Sequence, residues 1–214
     1  MDGENFQREG DFKNCFKTYE NVARQFEAYV DYETASYFHK RCLDISNEFK
    51  YLEGQAQAFK GLGICEEKVY NKFEAKENLE TALEKAVEGK IHKIELEVQK
   101  DLVRVYQLIA QDFQLEGNAE DALAYFNKCL EMTQKVKDTD KEAECYQNIA
   151  NIYEDLGQMN DAIEYLEKFL DISIQSNNNE KLQGAYKRLS EVESKNRNTS
   201  KAIEYLGKVL SLAN

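Results

Sequence analysis

The feature that most constrains this chain is a repeat. When EDALAYFNKCLEM (120–132) is set against DAIEYLEKFLDIS (161–173) and KAIEYLGKVLSLA (201–213), the same small residue recurs at Ala122, Ala162 and Ala202, 40 residues apart each time. Four positions on stands a large apolar residue (Phe126, Leu166, Leu206), and three further on Cys129, Phe169 and Val209. Spacings of i, i+4 and i+7 lie along one face of an α-helix, so each segment predicts an amphipathic helix with a buried stripe. A second stripe precedes each one. It runs through Tyr106, Ile109, Ala110 and Phe113, then Tyr146, Ile149, Ala150 and Tyr153, then Tyr186, Leu189 and Ser190, with Glu193 where an aromatic is expected.

Between the two stripes stand Gly117, Gly157 and the stretch KNRNTS (195–200). Glycine there suits a left-handed helix cap. Asn118, Asn160 and Thr199 are read as N-caps, and Thr139 with Glu142 as a capping box. The pattern extends backwards through Phe59, Leu62 and Gly63 with Ala75, Leu79 and Ala82. It continues to Tyr19, Val22, Ala23 and Phe26 with Ala35, His39 and Cys42. Ala35 to Ala75 is again 40 residues, but Ala75 to Ala122 is 47. Seven residues are about two helical turns, so the buried face keeps its direction. The insertion is read as longer helices around Gly89 and Lys90, forming either a contact surface or a tolerated lengthening.

Five helical hairpins follow, at about 11–49, 51–88, 90–135, 140–176 and 179–213. A single hairpin cannot bury its stripe alone and has to stack on its neighbours. The expected fold is therefore all-α, a right-handed α-solenoid over 1–214 with no strand. The chain contains no proline, the residue that most often interrupts a helix.

The motifs YxxIAxxF…AxxxFxxC (106–129), YxxIAxxY…AxxxLxxF (146–169), FxxLG (59–63) and AxxxLxxA (75–82) resemble the tetratricopeptide repeat family, with a 40-residue period. YFHKRCLDIS (37–46), AQAFKGLGICEE (56–67) and DLVRVYQLIAQDF (101–113), with the one long spacing, are similar to an axonemal branch of that family. The resemblance implies a non-catalytic protein-interaction scaffold of the motile cilium or flagellum, in the cytoplasm and cytoskeleton, linked to dynein arms and beating. Its implied partners are dynein-associated subunits. A soluble adaptor in ciliary transport or dynein preassembly is the alternative.

Charge and chemistry narrow the field. With 28 basic and 40 acidic residues the formal net charge is −12, which disfavours nucleic acid and anionic membranes and suits a partner with basic or helical segments. No apolar run reaches the ~20 residues of a membrane span. The opening MDGENFQREGDF has neither the basic nor the apolar region of a signal peptide. Five cysteines, at 15, 42, 65, 129 and 145, form no CxxC pair and read as reduced, buried thiols. His39 falls on a predicted stripe and reads as a core or rim residue, and His92 as solvated. Gly61 and Gly63 lie within a helix pattern and are no phosphate loop. Asp138, Asp140 and Glu142 lack the spacing of a calcium loop. No catalytic constellation, cofactor site or metal site is legible, so no enzymatic activity is expected.

Such arrays bind partners on the face presented by the first helix of each hairpin. By register, that face carries Lys17, Glu20, Arg24 and Glu27, then Gln57, Lys60, Ile64 and Glu67. It continues with Arg104, Gln107, Gln111 and Gln114, then Glu144, Gln147, Asn151 and Glu154, and ends with Lys187, Glu191 and Ser194. The candidate binding residues are Lys60, Glu67, Arg104, Gln107, Gln111, Gln114, Glu144, Gln147, Asn151, Glu154, Lys187 and Glu191. Their amides suit an extended backbone, whereas Glu144 and Glu154 beside Asn151 oppose a carboxylate-ending peptide. A merely solvated polar face is the competing reading.

Overall fold

A computed structural model of the chain describes residues 11–176 and 178–212. Residues 1–10, in the opening segment, and residue 213, at the end of the fifth hairpin, lie outside them. Among the described residues there are ten helices and no strand. They are α1 (Phe12–Ala28), α2 (Tyr32–Glu48), α3 (Leu52–Lys68), α4 (Lys72–Glu88), α5 (His92–Leu115), α6 (Ala119–Val136), α7 (Thr139–Asp155), α8 (Met159–Gln175), α9 (Asn179–Lys195) and α10 (Thr199–Leu212). Eight of the ten are 17 or 18 residues long, and the links are three residues, or two between α6 and α7, so one helix plus one turn takes about 20 residues. The 40-residue period of the sequence is two such steps.

The turns mark that beat in backbone conformation. Val30, Lys50, Tyr70 and Lys90 all have positive φ, as do Gly117, Lys137, Gly157 and Arg197. Each sits just past a helix end, where a left-handed residue lets backbone N–H groups reach back to the last carbonyls. Val30 N–H, for example, donates to Glu27 O and Asp31 N–H to Phe26 O. At the other end, Asp11, Asp31, Asn118, Asp138 and Asn178 accept backbone N–H bonds from the first helical turn. Each satisfies donors that the helix itself leaves open.

The chain forms two compact units, residues 1–108 and 109–214. In the first, Cys15, Phe16, Tyr19, Cys42, Ile45 and Ala58 form one buried cluster across α1, α2 and α3. Gly63 brings α3 and α4 together, because a Cβ there would stand 2.7 Å from Leu79 Cγ. In the second unit, Ala110, Ala122, Phe126, Ile149 and Ile152 form one cluster. Tyr146, Ala150, Ala162, Leu166, Phe169, Ala185 and Leu189 belong to another. The alanines of both repeated stripes are buried, which lets paired helices approach closely.

Five local expectations need correction. Gly89 and Lys90 form a turn, not part of lengthened helices; the extra seven residues belong to α5 alone, which has 24. Asn160 is inside α8, whose N-cap is Gln158. Thr199 is the first residue of α10, and Thr139 the first of α7, where Asp138 does the capping. Leu206 is 48% exposed, because α10 has α9 on one side and no later helix among the described residues. Glu193 occupies the aromatic slot of the fifth hairpin; it is buried, with Lys201 Nζ 3.3 Å from its Oε1.

Candidate functional site

The first unit holds a cleft of about 820 Å³. Lys17, Glu20, Arg24 and Glu27 of α1 line it, as do Gln57, Lys60 and Ile64 of α3. These occupy the register positions assigned to the face of the first helices. Side chains outside that register join them. Lys13 and Phe16 come from α1, His39 from α2, Tyr51 and Glu53 from around the start of α3, and Lys93, Ile94 and Glu97 from α5. The lining carries five Lys or Arg and four Glu, so the cleft is balanced in charge although the chain as a whole is acidic.

The length of α5 explains how its first turns come to line the cleft. In hydrophobic register, Tyr106, Ile109 and Ala110 match Phe59, Leu62 and Gly63 of α3, at an offset of 47. Spatially, α5 also meets α3 at the ordinary repeat spacing. Lys60 Nζ is hydrogen-bonded to Glu97, and Arg104 grips Glu67 with two bonds, Nε to Oε1 at 2.6 Å and Nη2 to Oε2 at 2.5 Å. Both pairs are 37 residues apart. In the second unit Arg188 and Asn151 are also 37 apart. Seven residues restore the same helical face two turns on, so α5 carries both registers at once. Leu102 and Val103 are buried in one, Ile109 and Ala110 in the other.

The electrostatics follow from these contacts. The Lys60 ammonium hydrogen-bonds Glu97 and holds its carboxyl below the ordinary carboxylate value. Burial pushes the Asp101 carboxyl up, against the opposing pull of Arg104. Hydrogen bonding to Glu67 raises the Arg104 guanidinium. Arg104 Nη2 also reaches Asp101 Oδ1 at 3.1 Å.

Of the candidate residues, Lys60, Glu67, Arg104 and Gln107 lie in the first unit, and only Lys60 lines its cleft. Glu67 is buried under Arg104 and acts as a tie between α3 and α5. Gln111, Gln114, Glu144, Gln147, Asn151, Glu154, Lys187 and Glu191 belong to the second unit. There Asn151 Oδ1 accepts from Arg188 Nη2 at 2.7 Å. Glu154 is paired to Arg188 and also to Lys195 Nζ at 2.8 Å, and Glu191 accepts from Arg188 Nη1 at 2.9 Å. Glu144 is bonded to Lys141 at 2.7 Å. Gln111 and Lys187 are exposed, while Gln107, Gln114 and Gln147 are half-buried. The negative charge of Glu154 beside Asn151 is therefore neutralised by two cations. Arg188, which the register reading passed over, organises this surface; it sits one position past Lys187.

His92 is exposed and within 3.2 Å of Glu95. His39 is only 3% exposed, and its Nε2 lies 2.6 Å from Glu27 Oε1. Burial pushes the Cys65 thiol up to about 11, and the neighbouring Glu27 carboxylate reinforces the shift.

Residues 101–175 match the tetratricopeptide repeat model. No curated protein matches the chain. Among solved structures, one of nearly identical TPR-like repeats from Podosopora anserina has 17% identity and a TM-score of 0.51, covering 92% of this chain and 94% of that one. BtubC (BKLC) from P. vanneervenii has 16% identity and a TM-score of 0.53, covering 99% and 86%. The apo form of RapI has 19% identity and a TM-score of 0.59, covering 95% of this chain and 60% of RapI. At these identities the likeness establishes the fold. The tetratricopeptide repeat fold is generally a non-catalytic scaffold for protein partners.

Proposed function

We propose that this chain is a non-catalytic protein-interaction scaffold whose partner enters the cleft of the first unit. The observation that carries the reading is the cleft itself: an open trough of about 820 Å³ lined by long polar side chains of α1, α3 and α5. Lys, Arg, Glu and Gln side chains there offer donors and acceptors to an extended or helical segment without demanding one sequence. The balanced charge favours a segment carrying both signs over a purely basic one. The second-unit residues from Gln111 to Glu191 offer a further polar surface.

The setting we propose is the axoneme of motile cilia or flagella, with dynein-associated subunits as partners and a part in beating. The stretches 37–46, 56–67 and 101–113 support it through their similarity to tetratricopeptide repeat protein 29. Salt extraction of detergent-stripped axonemes, with mass spectrometry of each fraction, tests it. Departure together with dynein subunits as salt rises upholds the axonemal reading. Presence only in the soluble fraction overturns it and leaves the soluble adaptor of transport or preassembly. The cleft has its own test. Lys17→Glu combined with Lys93→Glu, both on its wall, should weaken capture of the partners by more than tenfold while far-ultraviolet circular dichroism stays unchanged. Equal capture would place the partner elsewhere.

A further inference from the structure

Three chemically different donors meet beside the cleft. Glu27 lies in the last turn of α1, His39 in the middle of α2, and Cys65 near the end of α3. Their ligand atoms all lie within 4.8 Å of one another. Glu27 Oε1 is 2.6 Å from His39 Nε2 and 3.9 Å from Cys65 Sγ. His39 and Cys65 are 3% and 1% exposed, whereas the Glu27 side chain is 25% exposed, and both Glu27 and His39 line the cleft. The group is thus shielded on the helix side and reachable from the other.

One neighbour fits a ligand site rather than a chance encounter. Gly61 leaves room for the imidazole, since a Cβ there would stand 2.2–2.5 Å from three atoms of the His39 ring.

We propose that Glu27, His39 and Cys65 form a binding site for a borderline-soft divalent cation of the zinc type, its fourth position open to the cleft. One thiolate, one imidazole and one carboxylate suit Zn²⁺, while Ca²⁺ and Mg²⁺ call for all-oxygen shells. With zinc–ligand bonds of about 2.0–2.3 Å, tetrahedral ligands stand roughly 3.3–3.7 Å apart. The Cys–Glu distance is already close to that range. The His–Glu distance is shorter because a proton holds the two together, and it widens by under about 1 Å when a metal takes that place. On binding, the Cys65 thiol proton leaves to water and the imidazole hydrogen moves from Nε2 to Nδ1. The thiolate and carboxylate then balance the two charges of the cation. The bound ion would clamp α1, α2 and α3 together and set a Lewis acid at the edge of the cleft.

The test titrates the metal-free full chain with Co²⁺, followed by displacement with Zn²⁺. The expected result is one equivalent bound, with a thiolate-to-cobalt charge-transfer band and the strong visible bands of a tetrahedral site, both erased by Zn²⁺. Cys65→Ala should abolish the charge-transfer band. Glu27→Gln keeps the shape of a partly exposed side chain, so it should fold as the parent does and bind at least tenfold more weakly. A parent with no charge-transfer band overturns the proposal, as does a band that survives Cys65→Ala, or equal affinity in Glu27→Gln. The readouts are independent of any protein partner, so their failure leaves the scaffold reading untouched.

Discussion

Ala150 is fully buried and belongs to one core with Tyr146, Ala162 and Leu166. Its methyl is as large as that contact accepts. Ala150→Leu should overpack the α7–α8 pair and lower stability by roughly 1–3 kcal/mol, read as a fall in melting temperature. A parent-like melting temperature would count against the helix register. All five cysteines are buried, and burial pushes the Cys42 thiol up to about 12. The native, metal-free protein at pH 8 should therefore react with a thiol reagent only as fast as it opens, and the denatured chain should release five equivalents promptly. Rapid labelling in the native state would refute that shielding. The alanine and cysteine positions were legible in the sequence because small residues at helical spacing have one physical use. Glu27, His39 and Cys65 were not, because their separations of 12 and 26 residues match no local ligand motif. They converge only through the packing of three helices.

At the scale of the element, helix existence was legible and helix ends were less so. Amphipathic stripes fix a helix over several turns, whereas a cap depends on one side chain and one N–H. Asp138 took the role assigned to Thr139 because its carboxylate accepts the Lys141 N–H at 3.0 Å. The extra length of α5 was visible as a number and misplaced in space, since a two-turn insertion leaves the stripe unbroken. It gives Glu97 to Lys60, and that pair has a measurable pH signature. The folded-state carboxyl of Glu97 lies below its ordinary value of about 4.5. Its stabilisation is then fully present above the unfolded value and is lost as pH falls through the folded one. Between pH 6 and pH 3 the parent should lose more stability than Lys60→Met, whose Glu97 lacks that partner. The pair is partly exposed, so the difference will be modest and smaller in high salt. Equal pH slopes in denaturant titrations would show that the contact contributes nothing in solution.

At the scale of the whole molecule, stability is a chain of neighbour contacts rather than one shared core. Phe126 is fully buried in the second unit, with Ala122, Ile149 and Ile152. Phe126→Ala should cost about 3–5 kcal/mol locally. Hydrogen exchange followed by mass spectrometry should then quicken in α6 and α7, while α1 and α2 of the first unit keep the parent rates. Uniform quickening would mean that the molecule opens as a single block. The array was readable at this scale because period and packing are the same fact. The turns were not, because only Gly117 and Gly157 advertise a left-handed residue by composition. Val30, Lys50, Tyr70, Lys90, Lys137 and Arg197 adopt it silently, and all six are exposed. Side chains there crowd the backbone by about 1–2 kcal/mol, which glycine relieves at the expense of greater freedom in the unfolded chain. Evolution or an engineer thus has six separate dials for thermal tolerance, spaced like frets along the chain, that can be turned without touching a core contact or a cleft side chain.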